Sequence, residues 1–386
     1  FRHFSFCDCF RTITGRDFGA FSPCLLLFLS AMVHFPNLSD ALVAGGCIRP
    51  STLLAGLKNG AVSPKRFPVA LLLSISGLVV EPFAWLQSLW HGRRIQACAC
   101  PDDPVVVIGH WRSGTTYLHQ LLAADPCAAT ARNQLTIAPQ AGLVLKPLLE
   151  PLLRRTMTQH RPIDAVPWGA EDPQEDEVGL ARLTMDTNMA GVAFPQNYPR
   201  HFRRSVLNST PQFEQQLLHF TRLTWLYEGA GKTHLVIKNS AHTARVALLL
   251  RLFPRVRFVY LHRRPIDSVR SLVQVKQRLA QLVGLQDPPS SLQQVEETAA
   301  AHDQLQEAFA RSRHLIPKGQ LVEIAYDDLV QSPLITLQRI YDALEIKGWD
   351  TARAAIAARI AKGEDYRAQP VVLEPEAEQR LQALLS

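Results

Sequence analysis

Cysteine is missing beyond residue 127: all seven, from Cys7 to Cys127, lie in the first third of this 386-residue chain. The close pairs are C-x-C ("CDC", "CAC") and not the C-x-x-C or Cys/His spacing of zinc sites, so no structural metal is expected. An odd number of cysteines in a chain of this length fits free thiols in a reducing compartment. Acid is in short supply, with 34 Asp+Glu against 41 Lys+Arg and a formal net charge of +7. That balance suits an anionic ligand or a membrane surface. There is no long basic run and no DNA- or RNA-binding motif, so a nucleic-acid partner is not expected. Uninterrupted apolar runs of the about 20 residues needed to span a membrane are also lacking.

Two shorter apolar stretches are present. "CLLLFLSAMV", Cys24 to Val33, follows Arg2, Arg11 and Arg16, as a signal-peptide core would, but has no clean small-x-small cleavage site after it. The first methionine is Met32, and a start there would leave residues 1–31 outside the natural product; both readings stay open. "FPVALLLSISGLVVEPFAWLQSLW", Phe67 to Trp90, has its uninterrupted part from Pro68 to Val80, stopped by Glu81-Pro82. Lys65, Arg66, Arg93 and Arg94 flank it, and Trp85 and Trp90 stand near one end. It reads either as an interfacial helix in peripheral contact with an anionic membrane or as a helical hairpin packed on the main domain. Residues 1–97 are therefore set apart as a helical, apolar N-terminal segment, with one α/β domain over 98–386.

From Pro101 the pattern changes. "PVVVIG" (104–109), "HLVIK" (234–238), "VRFVYLH" (256–262) and "QLVEIAY" (320–326) are short β-branched runs of the kind that form strands buried on both faces. Helical patterns follow them: "TTYLHQLLAAD", "TARVALLLRLF" (243–253), a helix from about Pro265, and "SPLITLQRIYDALEI" with Ser332 as N-cap and Pro333 at its first position. The alternation predicts a P-loop-like three-layer α/β/α fold, a central parallel β-sheet flanked by helices. No strand is expected between Cys127 and Gly231. That stretch reads as a helical insert, about 128–231, on the acceptor side, and its acidic "EDPQEDE" reads most simply as a solvated loop. "GLQDPPSSLQQ" (284–294) reads as a mobile loop.

The chemistry-bearing residues fall at strand ends, where open α/β sheets bind ligands. "GHWRSGTT", Gly109 to Thr116, has the two glycines of the phosphate loop G-x-x-x-x-G-K-[ST], but Thr115 stands in the lysine position and the charge sits on Arg112. Backbone amides at the start of the following helix form an anion site. Lys238, Asn239, Ser240 and His242 follow the second long run; His262, Arg263 and Arg264 follow the third. A magnesium-dependent phosphoryl transferase needs an acid at such a strand end. Cations there point to direct anion binding without a metal, which suits a sulfuryl group, since it carries less charge than a phosphoryl group.

On these residues the chain resembles the sulfotransferases that use 3′-phosphoadenylyl sulfate, in their bacterial branch. The loop R-S-G-T-T matches Arg112 to Thr116, and the signature R-x-P-x-x-x-x-x-S matches "RRPIDSVRS" at Arg263, Pro265 and Ser271. "DPQEDE", "KNSAHTARV" and "YDDLVQSP" are similar as well, and the likeness runs from about Arg93 to Tyr366. The resemblance implies that Arg112 and the amides of Ser113, Gly114, Thr115 and Thr116 bind the 5′-phosphosulfate, and that Arg263 and Ser271 hold the 3′-phosphate. It gives Lys238 the bridging oxygen of the leaving group. His242 is the expected base, with Glu175 and Glu177 as carboxylate alternatives. Asp267 is expected to cap the helix after Pro265. Trp111 packs under the sheet or against adenine, and Tyr366 and Arg367 are candidates to reach the 3′-phosphate.

The function this implies is metal-independent, in-line transfer of a sulfuryl group from 3′-phosphoadenylyl sulfate to a hydroxyl or amine of a small-molecule, lipid or saccharide acceptor. The expected setting is cytoplasmic, with membrane association if residues 67–90 lie on a bilayer. Two other readings stay open: a P-loop kinase-like phosphotransferase, and a non-catalytic, membrane-peripheral nucleotide-binding protein.

Overall fold

The computed structural model describes residues 43–363 and 371–385, apart from 59, 158–160, 162, 165 and 167. The Cys24–Val33 segment, Cys7, Cys9, Met32, Tyr366 and Arg367 lie outside the described residues.

Five strands, β1 (Val105–Ile108), β2 (Ala128–Ala129), β3 (His234–Lys238), β4 (Arg257–His262) and β5 (Leu321–Ala325), form one sheet in the order β2-β3-β1-β4-β5. Every pairing is parallel. The expected α/β fold with a central parallel sheet is therefore what the chain adopts. β2 was not expected. Two alanines carry no strand pattern, and what makes them a strand is pairing with His234 and Leu235 of β3.

Side chains alternate across the sheet with the strand period of two. Val106, Ile108, Leu235, Ile237, Phe258 and Tyr260 share one core. Val105, Val107, Val236, Val259, Leu261 and Ile324 share the other. Because both faces are covered, nothing alternates to polar, which is why β1 reads "VVVI".

The helices are α1 (Pro50–Leu57), α2 (Phe67–Gln96), α3 (Thr115–Leu122), α4 (Asn133–Thr136), α5 (Gly142–Thr156), α6 (Asp176–Leu183), α7 (Met189–Ala193), α8 (Tyr198–Phe202), α9 (Pro211–Glu228), α10 (Val246–Leu252), α11 (Pro265–Val283), α12 (Ser291–Arg313), α13 (Tyr326–Gln331), α14 (Pro333–Ala343), α15 (Trp349–Lys362) and α16 (Pro375–Leu385). Leu217 and Phe220 of α9 and Leu249 of α10 close one face of the sheet. Leu118 and Leu121 of α3 and Leu337 and Ile340 of α14 close the other.

Several local expectations change. Glu81-Pro82 does not stop the apolar segment: α2 is one continuous 30-residue helix, not a hairpin. Its Val80 packs with Val43, Ile137 and Leu145, and that shared cluster carries the proline through. The helix expected at 243–253 is a short 3-10 turn, Ser240–Ala244, followed by α10. Ser332 sits at the N-cap of α14 without a side-chain cap bond. Asp267 lies inside the first turn of α11, whose N-cap is Arg264, and pairs with the Arg264 side chain at 2.8 Å. The last four residues of the expected mobile loop, 291–294, are helical, since Ser290 caps α12 by accepting from the Gln293 amide. The start of the loop is pinned: Leu285 is buried, its amide donates to Ala193, and its carbonyl accepts from Ser63.

α2 is fastened to the domain at small residues. The Cys47 amide donates to the Ser76 hydroxyl at 2.9 Å, and a Cβ on Gly77 would lie 2.0 Å from the Ile48 carbonyl oxygen. Gln87 donates to the Pro139 carbonyl and accepts from the Leu143 amide. Gly77→Ala is expected to lower stability by about 1–3 kcal/mol, because backbone and not a side chain must yield. A thermal melt beside Gly92→Ala, where a Cβ meets nothing within 4 Å, checks this.

Candidate active site

A cavity of about 1480 Å³ opens at the C-terminal ends of the strands. Nine Lys or Arg residues and four Asp or Glu residues line it, so its field favours an anion.

The loop after β1 lines this cavity. Arg112 takes a left-handed conformation, φ 68°, and Gly114 another, φ 98°, before α3 begins at Thr115. Gly114 also faces the Tyr326 ring, where a Cβ would come within 2.5 Å. These turns aim the first amides of α3 into the cavity. Among the described residues the amides of Gly114, Thr115 and Thr116 make no hydrogen bond. Together with the helix dipole they form an anion seat. Ser113 departs from expectation: its amide and its hydroxyl both donate to the His110 carbonyl, so neither is open to a ligand.

The two signature stretches meet. Arg112 Nε donates to Ser271 Oγ at 2.9 Å, and Arg263 Nη1 donates to the Arg112 carbonyl at 3.0 Å. The Arg263 guanidinium also lies over the Tyr326 ring, 4.3 Å from its centroid. Both Arg263 and Ser271 line the cavity. Trp111 lines it too, while packing against Phe202 on its other side.

The acidic stretch is not a solvated loop. Glu175, Asp176 and Glu177 are bonded one after another to the chain that follows β3. Lys238 Nζ donates to Glu175 Oε2 at 2.6 Å, and the Ser240 amide donates to Oε1 at 3.0 Å. His242 Nε2 lies 3.2 Å from Asp176 Oδ2. Glu177 accepts from Arg245, from Asn239 and from the Asn188 amide. Burial alone would raise the Glu177 pKa, but the Arg245 charge and these hydrogen bonds hold it below the ordinary value.

Geometry separates the candidate bases. His242 is fully buried, does not line the cavity, and has its other ring nitrogen 3.2 Å from Arg245 Nη1. With Arg245 donating to Nδ1, the Nε2–H goes to Asp176, and no lone pair is left for an acceptor proton. Glu175 and Lys238 line the cavity side by side. Glu177 lines it as well, but its side chain is only 3% exposed against 15% for Glu175, and the buried Arg245 guanidinium pairs with it.

A profile of the sulfotransferase family matches residues 104–351. The chain belongs to the sulfotransferase family. It is 25% identical over 310 residues to an omega-hydroxy-beta-dihydromenaquinone-9 sulfotransferase, Stf3, of Mycobacterium tuberculosis, covering 80% of this chain and 79% of that protein. The same protein of Mycobacterium bovis matches equally. Among solved structures, the sulfotransferase STF9 of Mycobacterium avium superposes with a TM-score of 0.64 at 17% identity, over 95% of this chain and 97% of that one. STF1 of Mycobacterium tuberculosis H37Rv gives 0.52 at 17%, over 95% and 100%. Family membership sets aside the kinase-like reading.

The sulfotransferase site also contains residues that sequence reasoning passed over. Asp164 accepts from Arg112 and Arg161, each at 2.5 Å, with no periodic pattern to announce it. Burial works to raise its pKa, but the two arginines hold it down at about 2. Gln274 and Arg278 lie one and two turns beyond Ser271 on the cavity face of α11, and helical spacing from the signature serine would have found them. Lys276 lies on the cavity wall, buried, 3.2 Å above the Tyr198 ring centroid and 3.0 Å from Thr298 Oγ1.

Burial pushes the Lys276 pKa down to about 7 from 10.5, with Glu297 opposing. Between those values the unfolded chain binds more protons than the fold, so this residue makes stability rise with pH across that window. Lys276→Met is expected to remove that rise and to lift the melting temperature most below the window, where the fold must bury the charge. Melting curves on both sides of the window test it.

Proposed function

We propose that this sulfotransferase uses 3′-phosphoadenylyl sulfate as donor and that Glu175 is the base that takes the acceptor's proton. The observation that carries the base assignment is the Lys238–Glu175 pair on the cavity wall, set against a His242 sealed behind it. The residues fit the donor. The open amides of Gly114, Thr115 and Thr116 with Arg112 suit the phosphosulfate end, and Arg263 and Ser271 suit a second phosphate. The donor supplies the sulfuryl group and a phosphate leaving group. Lys238 lines the same cavity and supplies a donor to charge growing on that leaving group. Glu175 accepts the proton at Oε2, the oxygen that Lys238 releases, while the Ser240 amide on Oε1 keeps the carboxylate oriented. His242 then acts as a positioning residue, holding Asp176 and Arg245 in place.

For the acceptor we infer a lipid alcohol. The relative whose printed name gives an acceptor acts on a hydroxylated menaquinone. The acceptor side of this cavity carries Val43, Met189, Val192, Leu272, Val275 and Leu279, an apolar wall that suits a hydrocarbon chain better than a sugar. Such an acceptor is met at a membrane surface, which brings residues 67–90 into the reading.

Adenosine 3′,5′-bisphosphate is expected to raise the melting temperature in the absence of magnesium, since a ligand of the native state stabilises it. Arg112→Ala and Arg263→Ala should each weaken its binding roughly 10- to 100-fold, the worth of a charged hydrogen bond. A magnesium-dependent shift with ATP and none with the bisphosphate would overturn the donor assignment. Glu175→Gln is expected to lower kcat about 10²- to 10⁴-fold with bisphosphate binding unchanged. His242→Gln should lower the melting temperature and cost kcat less; the reverse ranking in single-turnover assays rejects Glu175 as base.

A further inference from the structure

Seven exposed residues of α2 lie in one line: Phe67, Leu71, Ile75, Leu78, Pro82, Trp85 and Leu89. Their spacing of three and four residues keeps them within a sector of about 80° at 100° per residue. The stripe runs about 33 Å along the helix. Trp85 and Leu89 are 69% and 66% exposed, values at which large apolar groups are not packed on the fold. The buried residues Leu73, Ser76, Gly77, Val80, Ala84 and Gln87 fall on the opposite side.

We propose that this stripe is a docking face for an anionic lipid bilayer, on which α2 lies in the plane of the membrane and does not cross it. The proposal rests on the reading of the acceptor as a lipid and adds the surface at which it is met.

Charge selects the occupant. Lys65 precedes the stripe and Arg93 and Arg94 follow it, all exposed and none paired with a carboxylate among the described residues. The one acid of the helix, Glu81, is neutralised by Arg49 at 2.6 Å. A second copy of the chain fits poorly. Packing two such helices antiparallel sets Lys65 against the partner's Arg93 and Arg94, and packing them parallel sets like residues together. Either way cation meets cation. Anionic headgroups match both ends at once, and the two tryptophans have the amphipathic rings that settle at headgroup level.

Anchoring selects the orientation. By length and composition α2 could cross a membrane. Crossing would strip Gln87 of its bonds to Pro139 and Leu143 and Ser76 of its bond to Cys47, leaving polar groups unpaired in hydrocarbon. Lying flat keeps those bonds and buries only the stripe. Val43 ties the docking helix to the site, since it packs in the same cluster as Val80 of α2 and also lines the cavity.

The test is co-sedimentation of the full chain with phosphatidylcholine vesicles, with and without phosphatidylglycerol, at low and high salt. Binding is expected to the anionic vesicles, weakening with salt. Leu71→Gln combined with Leu78→Gln and Trp85→Gln should weaken it about ten-fold or more while leaving the melting temperature and the bisphosphate shift in place. Lys65→Glu with Arg93→Glu and Arg94→Glu should abolish the preference for anionic vesicles. No vesicle binding with the bisphosphate shift intact overturns the docking face and leaves the donor reading standing. So does a wild-type dimer by light scattering that the triple Gln variant converts to monomer. Binding gained only after removal of residues 1–42 assigns the stripe to that segment and also overturns the proposal.

Discussion

Three consecutive carboxylates bonded to one eight-residue stretch hold the working parts of this protein together. Glu175 is the N-cap of α6 and Asp176 and Glu177 begin it, while Lys238 ends β3 and His242 and Arg245 follow; each acid finds one cation or ring. The innermost pair, Arg245 with Glu177, is almost wholly buried, and Glu177 takes further hydrogen bonds from Asn239 and Asn188. A buried pair stabilises only when its remaining lone pairs are filled, and losing one partner costs about 3–5 kcal/mol. These bonds fasten the helical insert to the rim of the sheet. They also sort the three acids by exposure: the Glu175 side chain is the most open, and Asp176 and Glu177 are buried.

A second constraint joins the loop after β1 to the start of α11. Arg112 and Arg263 come from loops more than a hundred residues apart, yet Arg263 bonds the Arg112 carbonyl and Arg112 bonds Ser271. Asp164 pairs with the Arg112 guanidinium as well. Both arginines line the cavity, and two cations there favour a multiply charged anion. α11 lines the same cavity with polar residues (Ser271, Gln274, Arg278), a buried lysine (Lys276) and apolar ones (Leu272, Val275, Leu279).

The long apolar helix α2 has one packed face and one exposed face. Its small residues, Ser76 and Gly77, let the chain at Cys47–Ile48 cross in contact, and this close approach fixes which face is buried. The remaining face is apolar by the same count of residues that would suit a core, so composition cannot distinguish packed from exposed.

Much of this was legible from residues alone. Runs of β-branched residues marked four strands, because strands covered on both faces have no polar positions to interrupt them. The loop and the arginine–serine signature marked the donor side, because phosphate recognition demands particular groups at particular spacings along the backbone. What the sequence by itself determined, then, was the family, the parallel sheet and the anion-binding character of the strand ends. The tertiary structure decided which acid is open, why His242 is sealed and where Lys276 sits. It also made a strand of Ala128–Ala129 and a single helix of 67–96. Those depend on contacts between segments tens to hundreds of residues apart, and burial, pairing and proton affinity are properties of such contacts and not of the residues that make them.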